Sequence, residues 1–296
     1  MASITRADAA DLFTEELQRE VIAETTRRSV AMQTFRTLPM GSGVKSMPVL
    51  DALPTAGFLS APQAVKPKTT IKWDKKTLTA EEVAVIVPVD DTVLADSSID
   101  IVAVLRDLIA QEFGRVIDLA VFFGTGAPAS YPTGGLHTAA VTASKDLAYD
   151  SSDPIGSWSD LFSLVEDPGA DVDALWGARS LRGLLRKTRD NGNPSPDVNL
   201  QGVYGIAPQF PLGWDKDESL AIVGDSSSAI LGLRQDVTFT FSNQATITDF
   251  GNLFEKDSTA IRAVMRLGFC IADPIRLETG ARDVPFATLT PEAVAS

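Results

Sequence analysis

The chain has 296 residues, 44% of them hydrophobic, with 26 Lys and Arg against 39 Asp and Glu and a net charge of −13. The apolar share supplies one large core or two moderate ones, and the acidic balance argues against a nucleic-acid reader with a basic footprint or a protein docked on anionic membranes. One cysteine, Cys270, excludes an intrachain disulfide, and one histidine, His137, leaves a His/Cys zinc site short of ligands.

Residues 3–31 read as one amphipathic helix, with Ala10, Phe13, Leu17 and Val21 on an apolar stripe. The N-terminus lacks a basic region followed by an apolar core, so no signal peptide is expected and the chain reads as intracellular when made. No apolar run reaches the length of a membrane span.

Pro39–Gly43 reads as a linker. Residues 48–68 hold four prolines and few bulky apolar side chains, too few for a core of their own. Ile71 and Trp73 then alternate with Lys72 and Asp74, and Val83, Val85, Val87 and Val89 fall on one face of a further strand. These two segments read as an extended arm of two strands. Lys66, Lys68, Lys72, Lys75 and Lys76 place five positive charges on it, in an otherwise acidic protein. Such lysines either protect a solvated edge or lie on an acidic partner surface; the second reading makes them candidate intersubunit contacts.

Asp96-Ser-Ser98 offers capping side chains for a long helix over 98–123, about 39 Å at 1.5 Å per residue. Its buried stripe is expected at Ile101, Leu105, Leu108, Ile109, Phe113, Val116, Ile117 and Ala120. Gly124-Thr-Gly126 invites comparison with a phosphate loop. The order is reversed, however: a helix precedes the glycines, and the Lys-Ser/Thr pair is missing. The glycines therefore end the helix, residues 127–135 leave it as a loop with no new helix start, and His137 is expected on a surface loop.

Beyond a Ser/Asp-rich junction at 144–154 the pattern becomes α/β. A helix is expected over 158–166 and a buried strand over 173–176. Another helix, 178–189, points Leu181, Leu184 and Leu185 inward and four arginines outward, and Asn191-Gly192 closes it. Residues 224–228 form a turn, since the Gly-x-Ser-x-Gly order of a nucleophilic serine is absent. Val237, Phe239 and Phe241 mark a strand, and Ile261 to Ile271 a closing strand that buries Cys270. A Cys270–His137 pair stays open on sequence alone, but the carboxylates form no spaced pair in an apolar setting. No catalytic, cofactor-binding or metal-ligating residue is assigned, and the chain is read as a non-enzyme.

The order of these elements resembles the tailed-phage major capsid proteins of the HK97-like fold. The residues carrying the resemblance run from LPTAGFLSAPQAVKPKTTIKWDKKTLTAEEVAVIVPVDD through the long helix, which ends in Asp118, Ala120, Gly124 and Gly126. Downstream, LWGARSLRGLLRKTRDNGNP, IVGDSSSAILGLRQDVTFTFS and FEKDSTAIRAVMRLGFCIADPIRLETG continue it. The resemblance implies an α+β fold with an N-terminal arm (1–47), an E-loop hairpin (48–82), a peripheral domain with a long spine helix (83–133), an inserted axial domain (134–245) and a return to the peripheral domain (246–296). It further implies self-association into hexamers and pentamers of an icosahedral shell around double-stranded DNA, without sequence-specific binding, cofactor or membrane. The lysines would lie over a neighbour's peripheral domain. A separate scaffolding protein and a portal are expected partners, with decoration proteins as a further class. Location would be the virion capsid, assembled in the host bacterial cytoplasm. One relative's cross-link would correspond to Lys66 or Lys68 with Asn252, although nothing marks those residues. An encapsulin shell is the runner-up; a soluble α/β enzyme using the 124–135 loop, or a fibre or tail protein, stands further off.

Overall fold

The computed structural model describes residues 24–25, 28–52, 54, 58, 68–69, 71–92, 101–190, 193–195, 198–199, 202–248, 250–276 and 280–292. Most of the helix expected over 3–31 and the cap expected at 96–98 lie outside them. The end of that first helix is corrected. Ser29 is extended (φ −83°, ψ 121°) and caps a new five-residue helix, α1 (Val30–Thr34), its side chain accepting from the Met32 amide. An extended residue cannot continue a helical ladder.

After α1 come β1 (Arg36–Pro39), β2 (Val44–Ala52), β3 (Lys72–Thr79) and β4 (Glu81–Asp90). The strand pairing corrects the expected arm. β3 pairs antiparallel with β2, from Val44 opposite Thr79 to Ala52 opposite Lys72. β4 instead leaves the arm and joins the main sheet. Its alternating Val83, Val85, Val87 and Val89 pack on the central core, which a free ribbon could not offer them. Pro48 is tolerated within β2 because a two-stranded ribbon has a free edge on each side.

The long helix α2 (Ile101–Phe123) follows, ended as expected by Gly124 at φ 67°. Ile109, Phe113, Ile117 and Ala120 are buried as expected and Val121 joins them, but Leu108, also expected inside, is 57% exposed. A second helix, α3 (Gly135–Thr142), starts at the Gly134-Gly135 pair, where sequence suggested only a loop. The close approach of the two helix ends explains it. A Cβ at Gly124 would lie 2.6 Å from the Gly134 Cα, and one at Gly135 2.4 Å from the Val121 carbonyl oxygen. His137 therefore sits on a helix, half-buried, rather than on a surface loop.

Next come β5 (Asp146–Ala148), α4 (Pro154–Glu166), β6 (Ala174–Gly177) and α5 (Leu181–Lys187). Asp153 caps α4, accepting from the Gly156 amide, and a proline opens the helix. Short ladders join β7 (Arg189–Asp190) to β8 (Asn193–Pro194) and β9 (Val198–Asn199) to β10 (Gly202–Val203). The chain continues through β11 (Pro208–Gln209), β12 (Ala221–Gly224), β13 (Ala229–Ser242), β14 (Thr246–Ile247), β15 (Gly251–Asn252), β16 (Ser258–Ile271) and β17 (Phe286–Thr290).

Two sheets organise the body. One has the order β1-β13-β16-β4, the other β11-β6-β12-β17-β5. The pairing crosses the segment limits expected from sequence: β13 pairs with β16, while β17 lies between β12 and β5. Side chains alternate across the second sheet. Trp176, Ile222 and Phe286 join α2 and the first sheet in one core, whereas Leu175, Val223 and Leu289 meet Trp158, Leu161 and Phe162 of α4 and Leu181 and Leu185 of α5 in another. Phe35, Phe122 and Trp176 join the layers, their ring centroids 5.3–5.6 Å apart.

Candidate functional site

The arm made by β2 and β3 has little core of its own. Along β3 only Leu78, near the body, is fully buried; Trp73 is 66% exposed and Ile71 48%. The sequence-predicted lysines divide accordingly. Lys66 lies outside the described residues. Lys68, Lys72 and Lys75 are exposed. Lys76 is not free: its ammonium pairs with Asp273 and donates to the Ile271 carbonyl at 2.8 Å. Lys76 thus differs from Lys68, Lys72 and Lys75 in serving the chain's own body.

The arm root is held by a charged turn between β16 and β17. Arg282 reaches Asp51 on β2 at 3.3 Å, Asp74 on β3 at 3.0 Å and Asp273 at 3.7 Å. One guanidinium thus clamps both arm strands. The turn is braced by backbone bonds from the Arg276 amide to the Ala281 carbonyl and from the Asp283 amide to the Pro274 carbonyl. Its far side is tied to the body by Lys145, 6% exposed, which pairs with Asp283 at 2.6 Å and donates to the Val284 carbonyl at 2.8 Å. A hydrogen bond from the Lys75 amide, and after it Arg282, holds the Asp74 carboxyl below the usual carboxylate range. A hollow of about 490 Å³ lies beside this root, lined by Lys75, Lys76, Tyr131, Cys270 and Asp273 among others.

Asp118 is the buried anchor that sequence reasoning quoted only as part of a motif. It accepts from the Ser29 hydroxyl at 2.8 Å, the Ala31 amide at 3.1 Å, the Val30 amide at 3.2 Å and the Leu212 amide at 3.3 Å. The segment before α1, the helix α2 and the loop after β11 meet on one carboxylate. Burial pushes its pKa up to about 6, against the pull of its donors. The signal available in sequence was an acid between Ile117 and Leu119 on an apolar helix.

Nothing in this geometry is a reacting constellation. Cys270 packs with Met40, Leu78 and Ile230, and burial pushes its thiol up to about 11. His137 instead contacts Thr288 through Nδ1 at 3.1 Å, and burial lowers its pKa. Asn252 accepts from the Phe254 amide through its side chain at 3.0 Å. Among the described residues no group of three His, Cys, Asp or Glu side chains could hold a metal ion. None of their helices is long and apolar enough to cross a membrane.

The sequence model described as the phage capsid family matches residues 9–280. The chain belongs to the phage capsid family. The major capsid protein of Staphylococcus phage 80alpha is 24% identical over 287 residues, covering 93% of this chain and 84% of that protein. A solved structure from Microbacterium phage Oxtober96 is 35% identical with a TM-score of 0.81, covering 98% of this chain and all of that one. One from Mycobacterium phage Adephagia is 30% identical, also with a TM-score of 0.81, and covers both chains in full. This phage capsid family member is thus a tailed-phage major capsid protein with an α+β fold of the HK97-like kind, as the sequence order implied. Its role is structural, as a shell subunit, and its place is in the virion.

Proposed function

We propose that many copies of this chain assemble as hexamers and pentamers into an icosahedral shell around double-stranded DNA. The arm of β2 and β3 would be the E-loop, α2 the spine helix of a peripheral domain, and the five-stranded sheet the centre of an axial domain. The observation that carries this reading is the arm itself. A two-stranded ribbon is marginal alone in water, yet this one is fixed at its root and leaves Trp73, Ile71 and Lys72 exposed beyond Asp74. Such a ribbon completes its packing on another surface, and in a shell that surface is a neighbouring copy. The net charge of −13 suits a wall that must not adhere to packaged DNA. Assembly in the bacterial cytoplasm with a separate scaffolding protein and a portal belongs to the same proposal, as do decoration proteins.

Replacing residues 48–75 by a short Gly-Ser turn tests it. The body is expected to fold, with its thermal transition retained, and to sediment as a monomer where the full chain sediments as large assemblies. Unchanged assembly without the arm would contradict the reading.

A further inference from the structure

Charge is segregated within the second half of the chain. Residues 179–189 (RSLRGLLRKTR) contain five cations and no acid, whereas residues 146–173 contain eight acids and no Lys or Arg. All thirteen of these side chains are exposed. Arg179, Arg182, Arg186 and Arg189 follow a spacing of three, four and three, which sets them in a row along and beyond one face of α5. Arg182 lies 4.4 Å over the Phe210 ring, and Arg189 donates to the Arg186 and Thr188 carbonyls. Among the described residues none of the five cations has a carboxylate within ion-pair distance, and neither group of charges neutralises the other within one copy.

The arginine row and the first three of the acids stand at opposite edges of one sheet, while Asp171 and Asp173 lead into β6. Both α4 and α5 pack on the same face of the order β11-β6-β12-β17-β5. Phe210, beneath Arg182, directly follows β11 at one edge. Asp146 stands on β5 at the other edge, and Asp150 and Asp153 follow on the turn into α4.

We propose that these edges join copies of the chain head to tail, the arginine row beside β11 on one copy meeting the carboxylates beside β5 on the next. This rests on the reading of the chain as a shell subunit and adds which faces meet and by what chemistry. Arginine's planar fork suits carboxylates on a facing surface. Two different, complementary faces on one chain make a heterologous contact, which closes into a ring when the rotation allows. A second copy is favoured over nucleic acid because the chain itself displays the complement, and because its net negative charge repels a phosphate backbone.

Two variants test the contact. R182E/R186E puts two acids into the arginine row; D146R/D150R puts two cations among the carboxylates beside β5. Each alone is expected to raise the concentration for half-assembly by about tenfold or more in sedimentation velocity, while the monomer's circular dichroism melt stays near that of wild type. Mixed in equal amounts, they are expected to regain ring-sized species, because the introduced glutamates of one variant then face the introduced arginines of the other. Rescue on mixing also shows that both variants are folded. Assembly of each variant as wild type, or no recovery on mixing, would overturn the proposal. So would retained assembly of R182E/R186E combined with lost, salt-sensitive binding to a double-stranded DNA fragment, which would assign the row to nucleic acid. Failure of the wild-type chain to form rings or shells would instead overturn the shell reading itself.

Discussion

The Ser29 hydroxyl donates to Asp118 at 2.8 Å across 89 residues of sequence, inside the protein. Three backbone amides complete the shell of that carboxylate, so the segment entering α1 and the loop carrying Leu212 are both fixed to α2 by one side chain. Replacing Asp118 by Ala leaves several buried donors without an acceptor. A loss of about 3 kcal/mol is expected from urea unfolding of Asp118→Ala, since each orphaned donor carries its own desolvation cost.

The same group predicts a pH dependence. The folded chain holds the Asp118 proton more tightly than an unfolded aspartate, with a pKa of about 6 against 3.8, because burial disfavours the charge. Its contribution to stability is therefore fully present below pH 3.8 and is lost as the pH rises through 6. Asp118→Asn cannot titrate. The stability difference, wild type minus Asp118→Asn, should fall by about 3 kcal/mol or less between pH 4 and pH 7. Paired melts across that window check it; a difference that rises with pH would reverse the sign.

Arg282 predicts the behaviour of the arm. Without it, Asp51, Asp74 and Asp273 lose the guanidinium they share, and Lys76 stays on Asp273. Arg282→Ala should speed amide exchange in β2 and β3 by about tenfold while leaving β13 and β16 protected, as expected of a local opening. Wild type should show the same loosening at high salt, where the clamp is screened. Because Asp74 is held below its usual range, its share of the clamp is present above the ordinary carboxylate pKa and is lost as the pH falls through the lower folded value.

Two glycines make a matched pair. Gly135 has φ 62°, and a Cβ there would lie 2.4 Å from the Val121 carbonyl oxygen; around Gly183, within α5, nothing lies within 4 Å of the added atom. Gly135→Ala should destabilise by about 2–4 kcal/mol. Gly183→Ala should stabilise by about 0.5–1 kcal/mol through helix propensity. Thermal or urea unfolding of both variants decides it.

What could be read from the sequence was what periodicity carries. Val83 to Val89 and Ile261 to Met265 alternate because one face of each strand packs on the core, and Gly124 ends α2 because the chain must turn there with positive φ. Harder to read was what distant residues decide. β2 carries a proline and polar residues, and only its pairing with β3 makes it a strand. α3 begins without a capping side chain because its glycines pack on the end of α2. Lys76 read as an edge or intersubunit lysine, since its partner carbonyl at Ile271 lies 195 residues away. Asp118 differed in kind: the residue was visible, but its four donors come from two remote segments.

In the proposed shell this chain closes with copies of itself through an arm that needs a neighbour. Negative-stain electron microscopy of the wild-type protein, expressed alone and concentrated, tests it most directly. Closed shells, or rings of five and six subunits, are the predicted result. A uniform population of monomers or dimers, persisting at high concentration and after addition of the other proteins of its phage, would contradict it.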